Sequence, residues 1–216
     1  MGRVAAELTH LDEIDVYDPD GRVEMVGAEI VERLRDDGIG GIFFAAHLGN
    51  WEIMPLAASQ KDLQLTHVYR AANNSLADAL LQRLRAPLGG AQVAKGAPGA
   101  KKLIAALRRG GHLALIADQK QNDGIPVPLF GRDAMTAPAL AQLALKFDCP
   151  VVPTRVERLG GAHFRLTVYP PLDLPASGDR EADVAETMGR INALFESWIR
   201  ERPEQWLWLH RRWPDS

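Results

Sequence analysis

The feature that most constrains this chain is the run Ile39-Gly40-Gly41-Ile42-Phe43-Phe44-Ala45-Ala46, which follows the turn signal Asp36-Asp37-Gly38 and stops at His47. With no polar alternation along its length, it reads as a strand covered on both faces, as in a parallel α/β sheet. His47 then lies at the strand's carboxyl end, where open α/β sheets bind their ligands. Gly49 and Asn50 suit a tight turn and a helix cap, so Glu52 is expected in the first turn of the next helix. Across that turn the His47 imidazole and the Glu52 carboxylate can face each other, the acid holding one ring nitrogen and leaving the other free to accept a proton. Pro55 allows the helix to begin anywhere from Asn50 to Met54. A satisfied core histidine is the competing reading of His47.

The rest of the chain alternates strands and helices around this point. Residues 1–20 are acidic and weakly patterned and are expected to be poorly ordered. Arg22 to Val26 reads as a short edge strand, and Ala28 to Arg35 as a helix closed by Gly38. Leu63 to Tyr69 predicts a second strand that brings Arg70, a residue suited to bidentate phosphate recognition, to the same rim as His47; a strand-end salt bridge is the alternative. Ser75 is the expected cap of a helix whose Leu76, Leu80, Leu81 and Leu84 are expected in the core. A short strand at Gln92 leads to a helix over residues 98–109. The apolar strand from His112 to Ala117 then ends in Asp118-Gln119. For Asp118, pairing with the His47 and Glu52 site, pairing with Arg70 and plain exposure all fit. Residues 120–124 read as a polar flexible loop. Pro126 to Arg132 reads as an extended segment, rimmed with apolar groups and suited to a lid or to contact with a lipid surface.

Farther on, Thr136 is the expected N-cap of a helix over 138–147. A strand over 151–156 pairs with one over 163–169 through Gly160-Gly161, and His163 reads as structural. Residues 181–200 form a long amphipathic helix with Val184, Met188, Ile191, Leu194, Phe195 and Trp198 along one stripe. The tail carries Trp206, Trp208 and Trp213 among His210, Arg211 and Arg212, a mixture that fits an anionic membrane interface or another acidic surface as well as it fits packing on the core. The fold class that follows is α/β, a mostly parallel central sheet with helices on both faces.

Composition narrows the function. At 216 residues, 46% hydrophobic and 25% charged, the chain is expected to form one globular domain over 1–216. A net charge of −3 speaks against a general nucleic-acid binder. Cys149, the one cysteine, gives no disulfide or metal spacing and reads as a small buried hydrophobe. No serine lies in Gly-x-Ser-x-Gly, there is no His-Glu-x-x-His, Gly38-Ile-Gly-Gly lacks a third glycine for a dinucleotide fingerprint, and Gly96-Ala-Pro-Gly-Ala-Lys has the wrong spacing for a phosphate loop.

The segment His47-Leu48-Gly49-Asn50-Trp51-Glu52 closely resembles the signature of the bacterial lipid A biosynthesis acyltransferases, the lauroyl and myristoyl transferases, which are relatives of the glycerol-phosphate acyltransferases. The likeness continues in order through Tyr69-Arg70, Ala117-Asp118-Gln119, Pro128-Leu129-Phe130-Gly131-Arg132, Ala134 to Ala137, Pro150 to Pro153 and the tail Trp206 to Trp213. The resemblance implies a glycerol-phosphate-acyltransferase-like fold and transfer of a fatty acyl group from an acyl carrier protein thioester to a hydroxyl of a lipid A precursor. His47, Glu52 and Asp118 are then the catalytic candidates. Gly49, Asn50, Arg70, Gln119 and Arg132 are the substrate-binding candidates, with oxyanion donors from the Gly49-Asn50 turn or Arg70. No cofactor, metal or nucleic acid is implied. The partners implied are acyl carrier protein, a glycolipid acceptor and the cytoplasmic face of the bacterial inner membrane, met peripherally because the apolar N-terminal anchor usual in the family is absent from this sequence. A different phospholipid or phosphoglycolipid acceptor, or an inactive remnant that binds lipid or carrier, are the alternatives.

Overall fold

The computed structural model describes residues 2–213; Met1 and residues 214–216 of the expected domain lie outside them. The elements in chain order are α1 (Gly2–Glu7), a 3-10 turn (Leu8–Glu13), β1 (Val23–Val26), α2 (Ala28–Asp36), β2 (Ile42–Ala45), α3 (Ile53–Gln60), β3 (Leu65–Tyr69), α4 (Ser75–Leu84), β4 (Ala91–Ala94), α5 (Ala97–Arg108), β5 (His112–Ile116), β6 (Lys120–Leu129), β7 (Arg132–Thr136), α6 (Ala139–Phe147), β8 (Val151–Gly160), β9 (His163–Val168) and α7 (Arg180–Glu201). The sheet order is β1-β9-β8-β2-β5-β3-β4. The five strands from β8 to β4 run parallel to one another, while β9 and its parallel neighbour β1 run the other way. The fold is therefore α/β with a mostly parallel sheet.

β2 explains why the sheet is covered twice. Phe43 and Ala45 face a core built with Ile30, Leu34, Ile53 and Leu56 of α2 and α3, while Ile42, Phe44 and Ala46 face Leu103, Leu140, Met188 and Phe195 of α5, α6 and α7. A strand whose alternate residues are apolar toward both sides has no solvated face, so its sequence reads as an unbroken apolar run. Cys149 is buried at the start of β8, and burial pushes its thiol up to about 11.

Several local expectations differ from the structure. Within the first twenty residues, Val4, Leu8, Leu11, Ile14 and Val16 are buried, packed as helical turns and an extended link despite the acidic composition. The cap of α4 is Asn74, whose Oδ1 accepts from the amides of Leu76 and Ala77. That helix leaves Leu76 81% and Leu80 56% exposed, and only Leu81 and Leu84 lean on the core. Residues 120–136 are an antiparallel hairpin, β6 and β7, turned at Phe130 and Gly131 with φ of 53° and 72°. Thr136 ends β7 and is wholly buried, and the N-cap position of α6 is Pro138, which makes no side-chain cap.

Candidate functional site

Parallel register brings the site together. Ala45 of β2 lies opposite Ile116 of β5, so two residues farther along each chain His47 and Asp118 meet on the carboxyl rim. The Nδ1 atom of His47 is 2.6 Å from Asp118 Oδ1, and the His47 amide donates to Asp118 Oδ2 at 3.0 Å. Asp118 is 4% exposed. Burial alone pushes its carboxyl up, but hydrogen bonds from His47 and from Trp206, with the positive charge available on His47, hold it below the usual carboxylate range. An ionised Asp118 can only accept, so Nδ1 carries a proton, and in the neutral ring the lone pair is then on Nε2. Gln119 Nε2 lies 3.3 Å from that atom, and the Trp51 ring stands edge-on to the imidazole at 4.8 Å between centroids.

Glu52 is not the group on His47. It occupies the N-cap position of α3 and is 5% exposed. Its Oε1 accepts from Arg85 Nε at 3.0 Å and from a terminal guanidinium nitrogen at 2.5 Å. A buried carboxylate needs a paired cation, and the Arg85 fork supplies two donors to it. Asn50 has no exposed surface. Its amide donates to Glu7 Oε2 at 2.9 Å, its Oδ1 accepts from the Glu52 amide at 3.1 Å, and Glu7 is held in turn by Arg158. Gly49 has φ of 57°, and a Cβ there would meet the Val156 carbonyl oxygen at 2.7 Å. Both residues hold the turn that carries His47 away from β2.

The other candidates are more dispersed. Arg70 follows β3 on the same rim, exposed and without an ion pair among the described residues. Arg132 is exposed at the hairpin turn, with its guanidinium 5.9 Å from the centre of the Trp213 ring. Trp206 was not among the candidates, yet its Nε1 donates to Asp118 Oδ2 at 2.8 Å; the cluster of tryptophans in the tail was the signal available for it. The space beside Asp118, Gln119, Lys120 and Trp206 is a cleft of about 10 Å³. A much larger open concavity of about 500 Å³ lies among Asp12, Glu13, Asp15, Tyr17, Gln60 and Lys61, at the end of α3 away from the rim. Among the described residues no group of three or more His, Cys, Asp or Glu side chains could hold a metal ion, and no helix is long and apolar enough to cross a membrane.

The parallel sheet and the strand-end pair define the class, an α/β protein with a carboxylate-oriented imidazole at the carboxyl rim. A family model described as bacterial lipid A biosynthesis acyltransferase matches residues 1–215, and the chain belongs to that family. The lipid A biosynthesis myristoyltransferase of Escherichia coli strain K12 is 27% identical over 192 residues, covering 87% of this chain and 58% of that protein. Lipid A biosynthesis acyltransferase 1 of Shigella flexneri matches with the same identity and coverage. This chain thus spans less than two thirds of the length of these relatives. The crystal structure of a 1-acyl-sn-glycerophosphate acyltransferase from Thermotoga maritima superposes with a TM-score of 0.47 at 14% identity, covering 90% of this chain and 81% of that one.

Proposed function

We propose that this chain transfers a fatty acyl group from an acyl carrier protein thioester to a hydroxyl of a lipid A precursor, with His47 as general base. The observation that carries this reading is the 2.6 Å contact of His47 Nδ1 with the buried Asp118 carboxylate, which leaves Nε2 as the proton acceptor. Family membership supports the substrate class.

In this mechanism the acceptor hydroxyl displaces the Gln119 amide from Nε2 and gives its proton to that nitrogen as its oxygen attacks the thioester carbonyl carbon. Asp118 stabilises the imidazolium that forms. The tetrahedral oxyanion then collapses, the carbon–sulfur bond breaks, and the imidazolium returns its proton to the departing thiolate. The products are an ester and a free thiol, with no acyl-enzyme needed because the thioester is already activated. Arg70, exposed and uncommitted on the rim, stabilises the oxyanion or holds a phosphate of the glycolipid, and Arg132 supplies a second cation for that headgroup. Glu52 acts at one remove, fixing the turn through Arg85 and Asn50. The protein works at the cytoplasmic face of the inner membrane, where Trp208 and Leu209, 58% and 54% exposed, are suited to the headgroup zone.

The test is to incubate the purified protein with labelled acyl carrier protein thioester and, in parallel, a lipid A precursor or a lysophospholipid in detergent, beside His47→Ala. Label should enter lipid with the wild type alone. Equal transfer by both proteins would remove His47 from the chemistry, and transfer only to lysophospholipid would move the reading to another acceptor.

A further inference from the structure

The tail from Gln205 to Trp213 is a strap tied at both ends. Gln205 Oε1 accepts from the Arg158 amide at 2.8 Å, and its Nε2 donates to the Arg158 carbonyl at 2.9 Å, fixing it to β8. At the far end Arg212, 1% exposed, donates to Thr136 Oγ1 at 2.9 Å and to the Met135 carbonyl, while Trp213 Nε1 donates to the Leu129 carbonyl at 3.0 Å. The strap thus joins β8 to the hairpin. Midway it meets the candidate base, where the Leu207 amide donates to the His47 carbonyl at 2.9 Å and Leu48 bridges to Trp206.

At this crossing Asp118 Oδ2 receives two donors, the His47 amide and Trp206 Nε1, while Oδ1 faces the His47 ring. We propose that Trp206 is a positioning residue, its indole N–H fixing the rotation of the Asp118 carboxylate so that Oδ1 stays on His47 Nδ1. Indole suits the task. It is a donor only, so it cannot compete for the imidazole proton, and its rigid ring is braced by Trp208, stacked at 5.8 Å with the planes 5° apart. Without it, the buried oxygen keeps one donor and the carboxylate can turn away from the ring. The unusual feature is that the donor comes from the opposite end of the chain, so the orientation of the base depends on the strap being seated. The inference rests on the reading of His47 as the base.

The experiment compares wild type with Trp206→Phe, which keeps an aromatic ring and removes the donor, and with Trp208→Phe, which keeps an aromatic ring beside Trp206 and has no bond to Asp118 to lose. The first readout needs no turnover: the proton NMR resonance of His47 Nδ1–H, identified by its loss in His47→Gln. It should be present in wild type and Trp208→Phe, and exchange-broadened or lost in Trp206→Phe. The second is acyl transfer, where Trp206→Phe should lower kcat roughly tenfold or more with KM little changed, as expected for loss of a hydrogen bond to a charged group. An unchanged Nδ1 resonance in Trp206→Phe, or a loss confined to KM, overturns the proposal. A lost resonance in Trp206→Phe with no transfer by any protein leaves Trp206 as the positioning residue and overturns the acyl-transfer reading instead.

Discussion

Asp118 carries a charge almost wholly removed from water, and three donors surround it: the ring and amide of His47 and the indole of Trp206. Such a carboxylate can fix a tautomer and stabilise an imidazolium without taking the proton itself. Asp118→Asn should therefore lower kcat by a factor on the order of 10³, because the amide can present its NH₂ to the ring and favour the wrong tautomer. Glu52→Gln belongs to a different case. It breaks the buried pair with Arg85 and should cost about 2 kcal/mol of stability, with a kcat loss far smaller than that of Asp118→Asn when both are assayed below their melting temperatures. Thermal melts and kcat on the two variants check this. A Glu52→Gln enzyme as crippled as Asp118→Asn would return Glu52 to the chemistry.

At the level of elements, the turn between β2 and α3 aims the candidate base, and close approach of the backbone at Gly49 makes that turn possible. The chain bends there with φ of 57° while β8 passes so near that a Cβ would meet the Val156 carbonyl oxygen at 2.7 Å. Gly49→Ala should cost about 1–3 kcal/mol, from the positive φ and the displacement of β8 together. It should also lower acyl transfer by moving His47 against Asp118. Denaturant midpoints and activity of the folded variant test both effects, and a neutral Gly49→Ala would mean that the turn has room to relax. The β6–β7 hairpin is fixed from two sides. Asn192 of α7 donates to the Pro128 carbonyl at 3.2 Å, Glu196 accepts from the Phe130 amide at 2.7 Å, and the strap holds Thr136 and Met135. A segment with alternating buried positions and two proline interruptions reads in sequence as an extended lid, and these tertiary hydrogen bonds make it a braced hairpin.

For the whole molecule, acid stability turns on imidazoles that stay neutral inside. Burial pushes His67 of β3 down to about 4, and burial also lowers His112 of β5. Between pH 6.5 and 4 the unfolded chain takes up a proton at His67 that the folded chain does not, so this contribution to stability is full above about pH 6.5 and falls as the pH drops through that window. His67 should contribute a loss of about 2 kcal/mol by pH 4.5. Urea midpoints across this range should show the decline, and His67→Gln should flatten it; an equal slope in the variant would assign the loss elsewhere. Residue order by itself determined the alternation of strands and helices, the doubly buried β2 and the strand-end position of His47, because burial on two faces leaves a pattern that needs no partner to be read. It also marked Asp118 and Gln119 as strand-end groups on the same rim. Only the tertiary structure decided which acid serves His47. Glu52 is five residues away in the chain, yet a buried carboxylate turns to Arg85, while the pairing of Ala45 with Ile116 sets Asp118 beside the imidazole. Strand order and register arise from packing between distant segments, and the same packing brings Trp206 back to the carboxylate that holds His47.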